Sequence, residues 1–435
     1  MGKIIRDPVH NIIEIDDDAL KLIDTRTFQR LRRIRQLGLA WFVYPTAEHS
    51  RFTHSLGVYH LSKRLFEALI SRFNPSDVSN PAFIDNLDEQ KRILSLSALL
   101  HDIGHGAFSH ALEQAIKELK GTFDHEDYTT RIILEDKEIN GVLNEIDGSL
   151  ASKICQVIDK KYDNLIITMI VTSQLDADRM DYLLRDSHMT GAKYGSYDLE
   201  WILQHVYIKT ITVGEDQGKM VTAVDLKKCL NTIEQYILGR FFMYKHVYNH
   251  RVIRGFECIL RGIFKRVLKI KKNNKLIGVN LLKGFSDNSL PLENFLEIDD
   301  FTVLEWFKNW YHETDDDILK ELLRRFFYRD PLKTIDLVDV DYLEIYKKLE
   351  SYCDELGIDK EYFLYHDRIH SKALKEYDEL KYITDAIFVI KDDDQVTKIG
   401  NTPLSFISNI KGILEKEEYR CYVTEEVYNK YIEER

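Results

Sequence analysis

The sequence predicts a mainly α fold with small β-hairpin additions and an α+β region near the C-terminus. Apolar residues recur at three- and four-residue steps along most of the chain, which places them on one face of a helix. Runs of β-branched residues around a turn interrupt this pattern in a few places. Apolar residues make up 44% and charged residues 30% of the 435 residues, the balance of a folded globular protein.

The N-terminal residues 1–23 are predicted to form an extended arm or hairpin, because "KIIRDPVHNIIEID" alternates apolar and polar residues around a proline. A helix is predicted to follow, with apolar residues at helical spacing and with Asp24 or Thr25 as its N-terminal cap. Arginines cover the other side of this helix. On spacing alone they form a solvated basic face.

Helical patterns continue through the middle of the chain, and two further hairpins are predicted. "YIKTITVGEDQGKMVTAV" carries β-branched residues on both sides of a glycine-containing turn, and "AIFVIKDDDQVTKIG" is a second candidate. We expect a core at 24–270 and a C-terminal region at 271–435, because the pattern changes at "KKNNKLIGVNLLKGFSDNSLP". An acidic amphipathic helix closes the chain.

Charge and composition disfavour several classes of protein. The net charge of −12 provides no general surface for nucleic acid or acidic lipid, so any phosphate site must be a local basic pocket. No stretch approaches the roughly 18 apolar residues that span a bilayer, and the N-terminus lacks the features of a signal peptide. The five cysteines are scattered without a CxxC pair, which indicates a reducing compartment. We therefore expect a cytoplasmic protein that binds no membrane.

Several polar residues end a helix that otherwise looks buried, in "RILSLSALLHDIGHGAFSH". His101 and His105 are four residues apart, and Asp102 follows His101 directly. The glycines among them would let the backbone bend around one ion, and imidazole with carboxylate suits Fe, Mn, Zn, Co or Ni. The alternative is a helix end where the dipole favours histidine. The apolar run weakens that alternative, because buried charged groups require pairing or metal coordination.

A second polar group lies in "DADRMDYLLRDSHMTG". Asp178 and Tyr182 are one helical turn apart, and Arg185 and Asp186 follow, so the four side chains could share one stripe. A surface ladder of ion pairs would have the same spacing. Spacing alone leaves both interpretations open.

Histidines and aspartates also occur in a fixed order along the chain. His54, in "RFTHSLGV", precedes the pair of His101 and Asp102, and Asp178 or Asp176 follows. Taken alone, His54 is more often a core histidine than a ligand. The order H…HD…D nevertheless resembles the ligand order of the HD-domain metal-dependent phosphohydrolases.

Local sequences make this resemblance more specific. The stretches "DPVH", "LIDTRTFQRLRRIRQLG", "RFTHSLGV", "LLHDIGHGAFSH", "DHED" and "DADRMDYLLRDSHMTG" closely resemble the motif set of the HD-domain dNTP triphosphohydrolase-like proteins. The resemblance runs over residues 3–260 and more thinly to residue 410. It implies an HD-domain helical core at 24–270 and a C-terminal α+β region at 271–435 that serves regulation or oligomerisation.

The resemblance also implies a role for each matching residue. A divalent transition metal (Fe, Mn, Zn, Co or Ni) would be held by His54, His101, Asp102 and Asp178. The catalytic acid–base group would consist of His110, Glu113 and His125, although the family usually has aspartate where Glu113 stands. The triphosphate, with Mg on its oxygens, would contact Arg51, His105, Arg179, Tyr182 and Arg240. The sugar and base would contact Gln36, Leu37, Asp186 and Tyr248.

The implied reaction is hydrolysis of a dNTP at the α-phosphate, which releases a deoxynucleoside and intact triphosphate. The arginine-rich helix then has a second interpretation. A (d)NTP effector, such as GTP or dGTP, would bind there between subunits of a homotetramer. The residues that match this allosteric site are Lys3, Asp24, Gln29, Arg32, Arg329 and Lys333.

Two other functions stay open at this point. Another HD-type phosphohydrolase, such as a 5′-nucleotidase or a cyclic-nucleotide phosphodiesterase, would share the metal ligands without needing the Gln36 and arginine contacts. A nucleotide-sensing or nucleic-acid-binding protein would have a vestigial metal site. The complete ligand set and the charge of −12 disfavour this third function, so nucleic acid is not an expected partner.

Overall fold

The computed structural model describes residues 2–77, 86–119, 121–211, 216–270, 276–337, 342–369, 383–402, 405–406 and 418–434. Helices dominate these residues, so the predicted mainly α fold is confirmed. None of the described helices is both long and apolar enough to cross a membrane.

Helices make up more than half of the N-terminal part of the described chain. Several begin at an aspartate or threonine side chain that accepts a backbone N–H of the first turn, as Thr25, Asp124 and Asp176 do. These helices are α1 (Asp17–Ile23), α2 (Arg26–Gln29), α3 (Arg51–Ser71), α4 (Leu87–Leu100), α5 (His110–Glu118), α6 (His125–Glu135), α7 (Lys137–Ile146), α8 (Leu150–Ile158), α9 (Leu165–Val171), α10 (Ala177–Thr190) and α11 (Leu199–Gln204).

The remaining helices belong to the C-terminal half. The longest is α13, whose buried face runs along its whole length. They are α12 (Leu226–Met243), which continues into a π-helical turn at Tyr244–Tyr248, α13 (Arg251–Lys269), α14 (Val279–Ser286), α15 (Leu292–Leu296), α16 (Asp300–Glu313), α17 (Asp317–Phe327), α18 (Tyr342–Leu356), α19 (Lys360–Phe363) and α20 (Glu425–Glu433). The predicted acidic closing helix is α20.

Three small sheets accompany the helices in the described chain. All three hairpins predicted from the sequence are present as antiparallel pairs: β1 with β2, β3 with β4 and β7 with β8. The pairs β3–β4 and β7–β8 join through a parallel contact into one sheet, and β9 lies between β5 and β6 in another. The strands are β1 (Lys3–Asp7), β2 (Asn11–Ile15), β3 (Val206–Thr210), β4 (Met220–Asp225), β5 (Lys333–Leu337), β6 (Leu364–Ile369), β7 (Phe388–Ile390), β8 (Val396–Lys398) and β9 (Glu418–Val423).

The prediction of one continuous helix from Asp24 is wrong. The chain forms only α2, a 3₁₀ turn at Arg30–Arg33 and then extended backbone at Ile34. Tertiary contacts override the helical spacing, because the buried Arg30 side chain donates to the carbonyl oxygen of Ile298 at 2.9 Å. The Arg30 side chain is therefore inside the protein and is not part of a solvated basic face.

Helix α3 lies at the centre of the core that carries the polar motifs, and it packs against α4 and α10. Gly57 faces α10 so closely that an added Cβ would lie 1.9 Å from Asp181 Oδ1. This glycine lets buried charges on α10 approach the backbone of α3.

The main apolar core joins side chains from all three predicted regions, from Ile13 of the arm to Tyr422 near the C-terminus. A separate small cluster, which includes Leu349 and Val427, lies between the β5–β9–β6 sheet and helices α18 and α20. The predicted division into regions 1–23, 24–270 and 271–435 stays a prediction.

Two phenylalanines of α16 provide a matched test of this core. Phe307 has no exposed surface and Phe301 is 56% exposed. Phe307→Ala should lower the free energy of unfolding by about 3–5 kcal/mol, because it leaves a cavity among packed rings. Phe301→Ala should change it by less than about 0.5 kcal/mol. Urea denaturation followed by circular dichroism measures both, and similar losses for the two variants would contradict the packing.

Candidate metal centre and active site

Ends of three helices bring the predicted metal ligands together. His54 lies in the first turn of α3, His101 is the C-terminal cap of α4 with Asp102 directly after it, and Asp178 is in the first turn of α10. These helices pack on one another, so side chains separated by up to 124 residues in sequence meet at one point.

Four donor side chains face a common centre. His54 Nε2 lies 3.0 Å from Asp178 Oδ1 and 3.7 Å from Asp102 Oδ2. His101 Nε2 lies 3.6 Å from Asp178 Oδ1 and 3.4 Å from Asp102 Oδ1. Ligand atoms of His54, His101 and Asp102 all lie within 4.8 Å of one another, a spacing that can hold a metal ion.

Hydrogen bonds behind the two histidines leave the right nitrogens for a metal. A carbonyl oxygen only accepts, so His101 donates its Nδ1–H to Ala98 O at 2.8 Å, and its buried Nε2 has no hydrogen-bond partner among the described residues. Burial disfavours a charged His54, but hydrogen bonds with Asp178 and Asp181 outweigh burial and raise its pKa to about 10. The site thus attracts positive charge, and two imidazoles with two carboxylates suit a divalent transition metal.

The choice between Asp178 and Asp176 depends on helix capping. Both oxygens of Asp176 are used locally, because Oδ1 accepts the N–H of Arg179 and Oδ2 accepts the N–H of Ser173, each at 2.7 Å. The same Oδ2 also accepts Arg179 Nη1 at 2.6 Å. Asp176 therefore starts α10, and Asp178 faces the two histidines.

A buried carboxylate that the sequence analysis did not single out supports His54. Asp181 Oδ2 accepts His54 Nδ1 at 2.8 Å, and its Oδ1 accepts His10 Nε2 at 2.6 Å. Burial opposes its ionisation, but Arg185 and the bonds from His10 and His54 hold the Asp181 pKa well below its usual range. Asp7 completes the network by accepting Arg185 Nη1 at 2.8 Å.

Arg185 consequently does not share the stripe of Asp178, Tyr182 and Asp186, although the spacing allowed it to do so. It points into the protein toward Asp181 and the N-terminal arm. The "DPVH" stretch, which supplies Asp7 and His10, was the sequence feature that could have indicated this contact.

A second cluster contains the predicted acid–base residues. The rings of His105 and His125 stack with centroids 4.0 Å apart, and the ring centroid of His110 lies 5.2 Å from that of His125. His125 Nδ1 bonds Glu113 Oε2 at 2.9 Å, and Lys117 donates to Glu113 Oε1 at 2.5 Å. Burial opposes ionisation of Glu113, but its partners hold its pKa well below the usual range, so it accepts from both.

Close packing and a nearby arginine define the chemistry of this cluster. An added Cβ at Gly104 would lie 2.2 Å from Thr129 N, so the glycine lets the loop after α4 touch α6. Burial first, and then the charges of Arg51 and His125, lower the pKa of His105. Arg51 also bonds Asp102 Oδ2. A guanidinium at this position disfavours a second cation and favours a phosphate oxygen.

A cavity of about 730 Å³ joins the two clusters. Most of the predicted substrate residues line it, and His54 and His101 lie behind the wall. The predicted residues on its wall are Gln36, Leu37, Arg51, Asp102, His105, His110, Glu113, His125, Asp178, Tyr182, Asp186 and Tyr248. The π-helical turn at Tyr244–Tyr248 brings three side chains to this wall, which fits the association of such turns with functional sites.

One end of the cavity offers hydrogen-bonding groups of the kind that bind hydroxyls. Gln36 Oε1 is buried and has no hydrogen-bond partner in the part of the chain that the structure describes. Asp186 accepts Tyr248 OH at 2.8 Å and His49 Nε2 at 2.8 Å, so its position is fixed. His49 was missed by the sequence analysis, because a lone histidine in a turn carries no pattern.

Arg179 and Arg240 do not line the cavity. Arg179 bonds Asp176, and Arg240 Nη1 donates to Gln174 Oε1 at 2.6 Å. Both nevertheless act electrostatically on Tyr182, which is on the cavity wall.

The predicted effector residues form two separate groups within this chain. One group consists of two neighbouring pairs. Lys3 Nζ lies 4.0 Å from Asp24 Oδ2, and Arg32 Nε donates to Gln29 Oε1 at 2.7 Å. Gln29 Nε2 also donates to the carbonyl oxygen of Ile23, the residue before Asp24, at 2.7 Å. The other group lies elsewhere, because Arg329 Nε donates to Phe42 O at 2.8 Å and Lys333 pairs with Glu425 at 3.1 Å.

Comparison with known proteins agrees with this arrangement. Residues 51–186, which contain all four proposed metal donors, match the HD domain. The chain is 36% identical over 365 residues to the uncharacterized protein YwfO of Bacillus subtilis, covering 83% of this chain and 78% of YwfO. The chain belongs to the HD-domain family. Its resemblance to the dNTP triphosphohydrolase-like branch is confirmed by further relatives.

One relative of this HD protein is the deoxynucleoside triphosphate triphosphohydrolase SAMHD1 homolog of Dictyostelium discoideum, 31% identical over 60% of this chain and 49% of that one. This HD protein thus spans about half of that relative. A solved phosphohydrolase from Bacteroides thetaiotaomicron has a TM-score of 0.78 and 26% identity, covering 98% of this chain and all of the other. The HD domain and this structure support a hydrolase.

The support behind His54 can be tested by metal binding. Asp181→Asn should weaken metal affinity by about 10- to 100-fold, because one amide oxygen must replace the two carboxylate oxygens that accept from His54 and His10, and the negative charge behind His54 is lost. Competition with a chelator measures the affinity, and circular dichroism verifies the fold. Asp198→Asn, at the cap of α11, is the control and should bind metal normally. Unchanged affinity in Asp181→Asn would contradict the orienting role.

Proposed function

We propose that this HD protein is a metal-dependent dNTP triphosphohydrolase that attacks the α-phosphate and releases a deoxynucleoside and intact triphosphate. The observation that carries the proposal is the cavity of about 730 Å³. It connects a metal donor set, a histidine cluster beside Arg51, and the unpartnered oxygen of Gln36. Its volume is in the range of pockets that enclose small-molecule ligands.

The metal donors form one boundary of the reacting centre. His54, His101, Asp102 and Asp178 would hold the ion, and a divalent metal supplies charge stabilisation and activates water. Arg51, which bonds Asp102, would also donate to a phosphate oxygen. Arg179 and Arg240 would join the triphosphate contacts by exchanging Asp176 and Gln174 for phosphate oxygens.

The histidine cluster would handle the leaving group. Glu113 accepts His125 Nδ1–H, which fixes the ring and leaves Nε2 for the 5′-oxygen or its phosphate. His110 is the more exposed of the two candidates for proton transfer, with 63% of its side chain accessible. Lys117 holds Glu113 in place from the other side.

The sugar end distinguishes this proposal from other HD phosphohydrolases. Gln36 Oε1 is an acceptor that a 3′-hydroxyl would satisfy, and Asp186 with Tyr248 lies on the same wall. Leu37 would crowd the 2′ position of a ribose. A 5′-nucleotidase or a cyclic-nucleotide phosphodiesterase is the second candidate, because it would use the same metal donors.

Effector control and a homotetramer are part of the proposal. Lys3, Asp24 and Arg32 are exposed beside the half-buried Gln29, and the four side chains would bind a guanine nucleotide such as GTP or dGTP. Arg329 and Lys333 lie elsewhere in this chain and would reach that nucleotide from a neighbouring subunit.

Product analysis tests the reaction. Metal-loaded protein incubated with single dNTPs, and with mixtures that contain GTP or dGTP, should release deoxynucleoside and tripolyphosphate in equal amounts, as measured by chromatography. Orthophosphate, pyrophosphate or a linear nucleotide as product would favour the second candidate. The same rate with every single nucleotide and every mixture would contradict the effector site.

Two histidines at helix ends test the metal site. His101→Ala should abolish hydrolysis while the protein stays folded, because the alanine removes a donor from the metal centre. His205 caps α11 and bonds Trp201 O at 2.9 Å, much as His101 caps α4, but His205 does not line the cavity. His205→Ala is therefore the matched control, with normal turnover and melting temperature. Wild-type turnover in His101→Ala with metal present would contradict the assignment.

A further inference from the structure

An acidic segment at the start of α16 contacts the arginine-rich segment of residues 26–35. The contacts follow the same order along both segments, so the two stretches run alongside each other. In order, the contacting residues are Arg26 with Glu297, Arg30 with Ile298, Arg33 with Asp299 and Arg35 with Asp300.

Asp300 differs from the other acidic partners because its side chain has no exposure. Its Oδ1 accepts the backbone N–H of Phe108 at 2.7 Å. Its Oδ2 accepts the backbone N–H of Arg35 at 3.1 Å and Nη1 of the same residue at 3.3 Å. One carboxylate thus joins the residue before Gln36 to the turn before His110.

That turn has an unfavourable backbone conformation. Phe108 and Ser109 have φ of 54° and 55°, and Ser109 combines this with ψ of −128°. Residues other than glycine rarely adopt this backbone region. Where they do, the surrounding structure forces the conformation, and such residues cluster at functional sites. The Phe108 N–H bond to Asp300 is one of the contacts that hold the turn.

The same turn is also hydrogen-bonded to Arg51, the arginine that would face the phosphates. Ser109 Oγ donates to Arg35 O at 2.8 Å and accepts Arg51 Nε at 2.8 Å. Arg51 then bonds Asp102. A continuous set of hydrogen bonds therefore runs from the buried carboxylate of α16 to a metal donor.

We propose that Asp300 is a positioning residue, which holds the turn at Phe108 and Ser109 so that Arg51 and His110 face the substrate phosphates. The inference rests on the proposed function for the identity of those phosphates. Asp300 lies outside the residues that match the HD domain, so the HD core needs this group from the C-terminal part of the chain.

Asp300→Asn tests the proposal, because an amide cannot accept from both Phe108 and Arg35 without turning its NH₂ toward one of them. We expect kcat for dNTP hydrolysis to fall by about 100-fold, which is the loss that displacing a catalytic group by about 1 Å causes. KM should change less. The four proposed metal donors lie outside the turn and do not bond Asp300, so the metal content should not change.

Asp299→Asn is the matched control in the same segment. Asp299 pairs with Arg33 and caps α16 by accepting Thr302 N–H, and it makes no hydrogen bond or ion pair with the turn among the described residues. Its kcat should stay close to the wild-type value. If Asp300→Asn does not fold, Ser109→Ala tests the same link, because it removes the hydroxyl between Arg35 and Arg51 and should also lower kcat.

Hydrogen exchange provides a readout that is independent of activity. Exchange in peptides covering residues 106–110 should be faster in Asp300→Asn and unchanged in Asp299→Asn. Wild-type kcat or wild-type exchange in Asp300→Asn would overturn the inference. A wild-type protein that hydrolyses no dNTP would instead overturn the proposed function. The inference would then be decided by the exchange and by the affinity for inorganic tripolyphosphate, which Asp300→Asn should weaken.

Discussion

The buried Asp181 carboxylate connects the parts of the molecule on which the site depends. It accepts hydrogen bonds from His10 of the N-terminal arm, from His54 of α3 and from Arg185 of α10. A buried carboxylate is tolerated only when its oxygens are satisfied, so the arm and both helices must meet in one arrangement. That arrangement turns His54 Nε2 toward Asp178 and forms a group of side chains that could hold a metal.

Similar compensation of buried charge organises the opposite side of the cavity. Glu113 is held by His125 and Lys117, and Asp300 is held by backbone N–H groups and Arg35. Each carboxylate fixes a neighbouring group that would face substrate. Hydrogen bonds thus orient polar groups on and behind the cavity wall before any ligand binds, which is the condition under which fixed dipoles stabilise developing charge.

Local patterns were reliable where the determining interactions are local. The three hairpins follow from alternation and turn residues, and all three are present. The helix predicted from Asp24 failed because Arg30 finds its partner at Ile298, far away in sequence. For the same reason, Arg185 points away from the stripe that its spacing allowed. Long side chains with distant partners do not reveal their direction through spacing.

The sequence by itself determined the mainly α class, the ordered His54, His101 and Asp102 motif, and the family, because these depend on residue type and near-neighbour spacing. Tertiary structure decided which carboxylate faces the metal donors, since Asp176 caps α10 and Asp178 does not. It also assigned Asp181 and Asp300 their partners. A carboxylate's role is set by the donors that surround it once it is buried, and those donors come from distant parts of the chain.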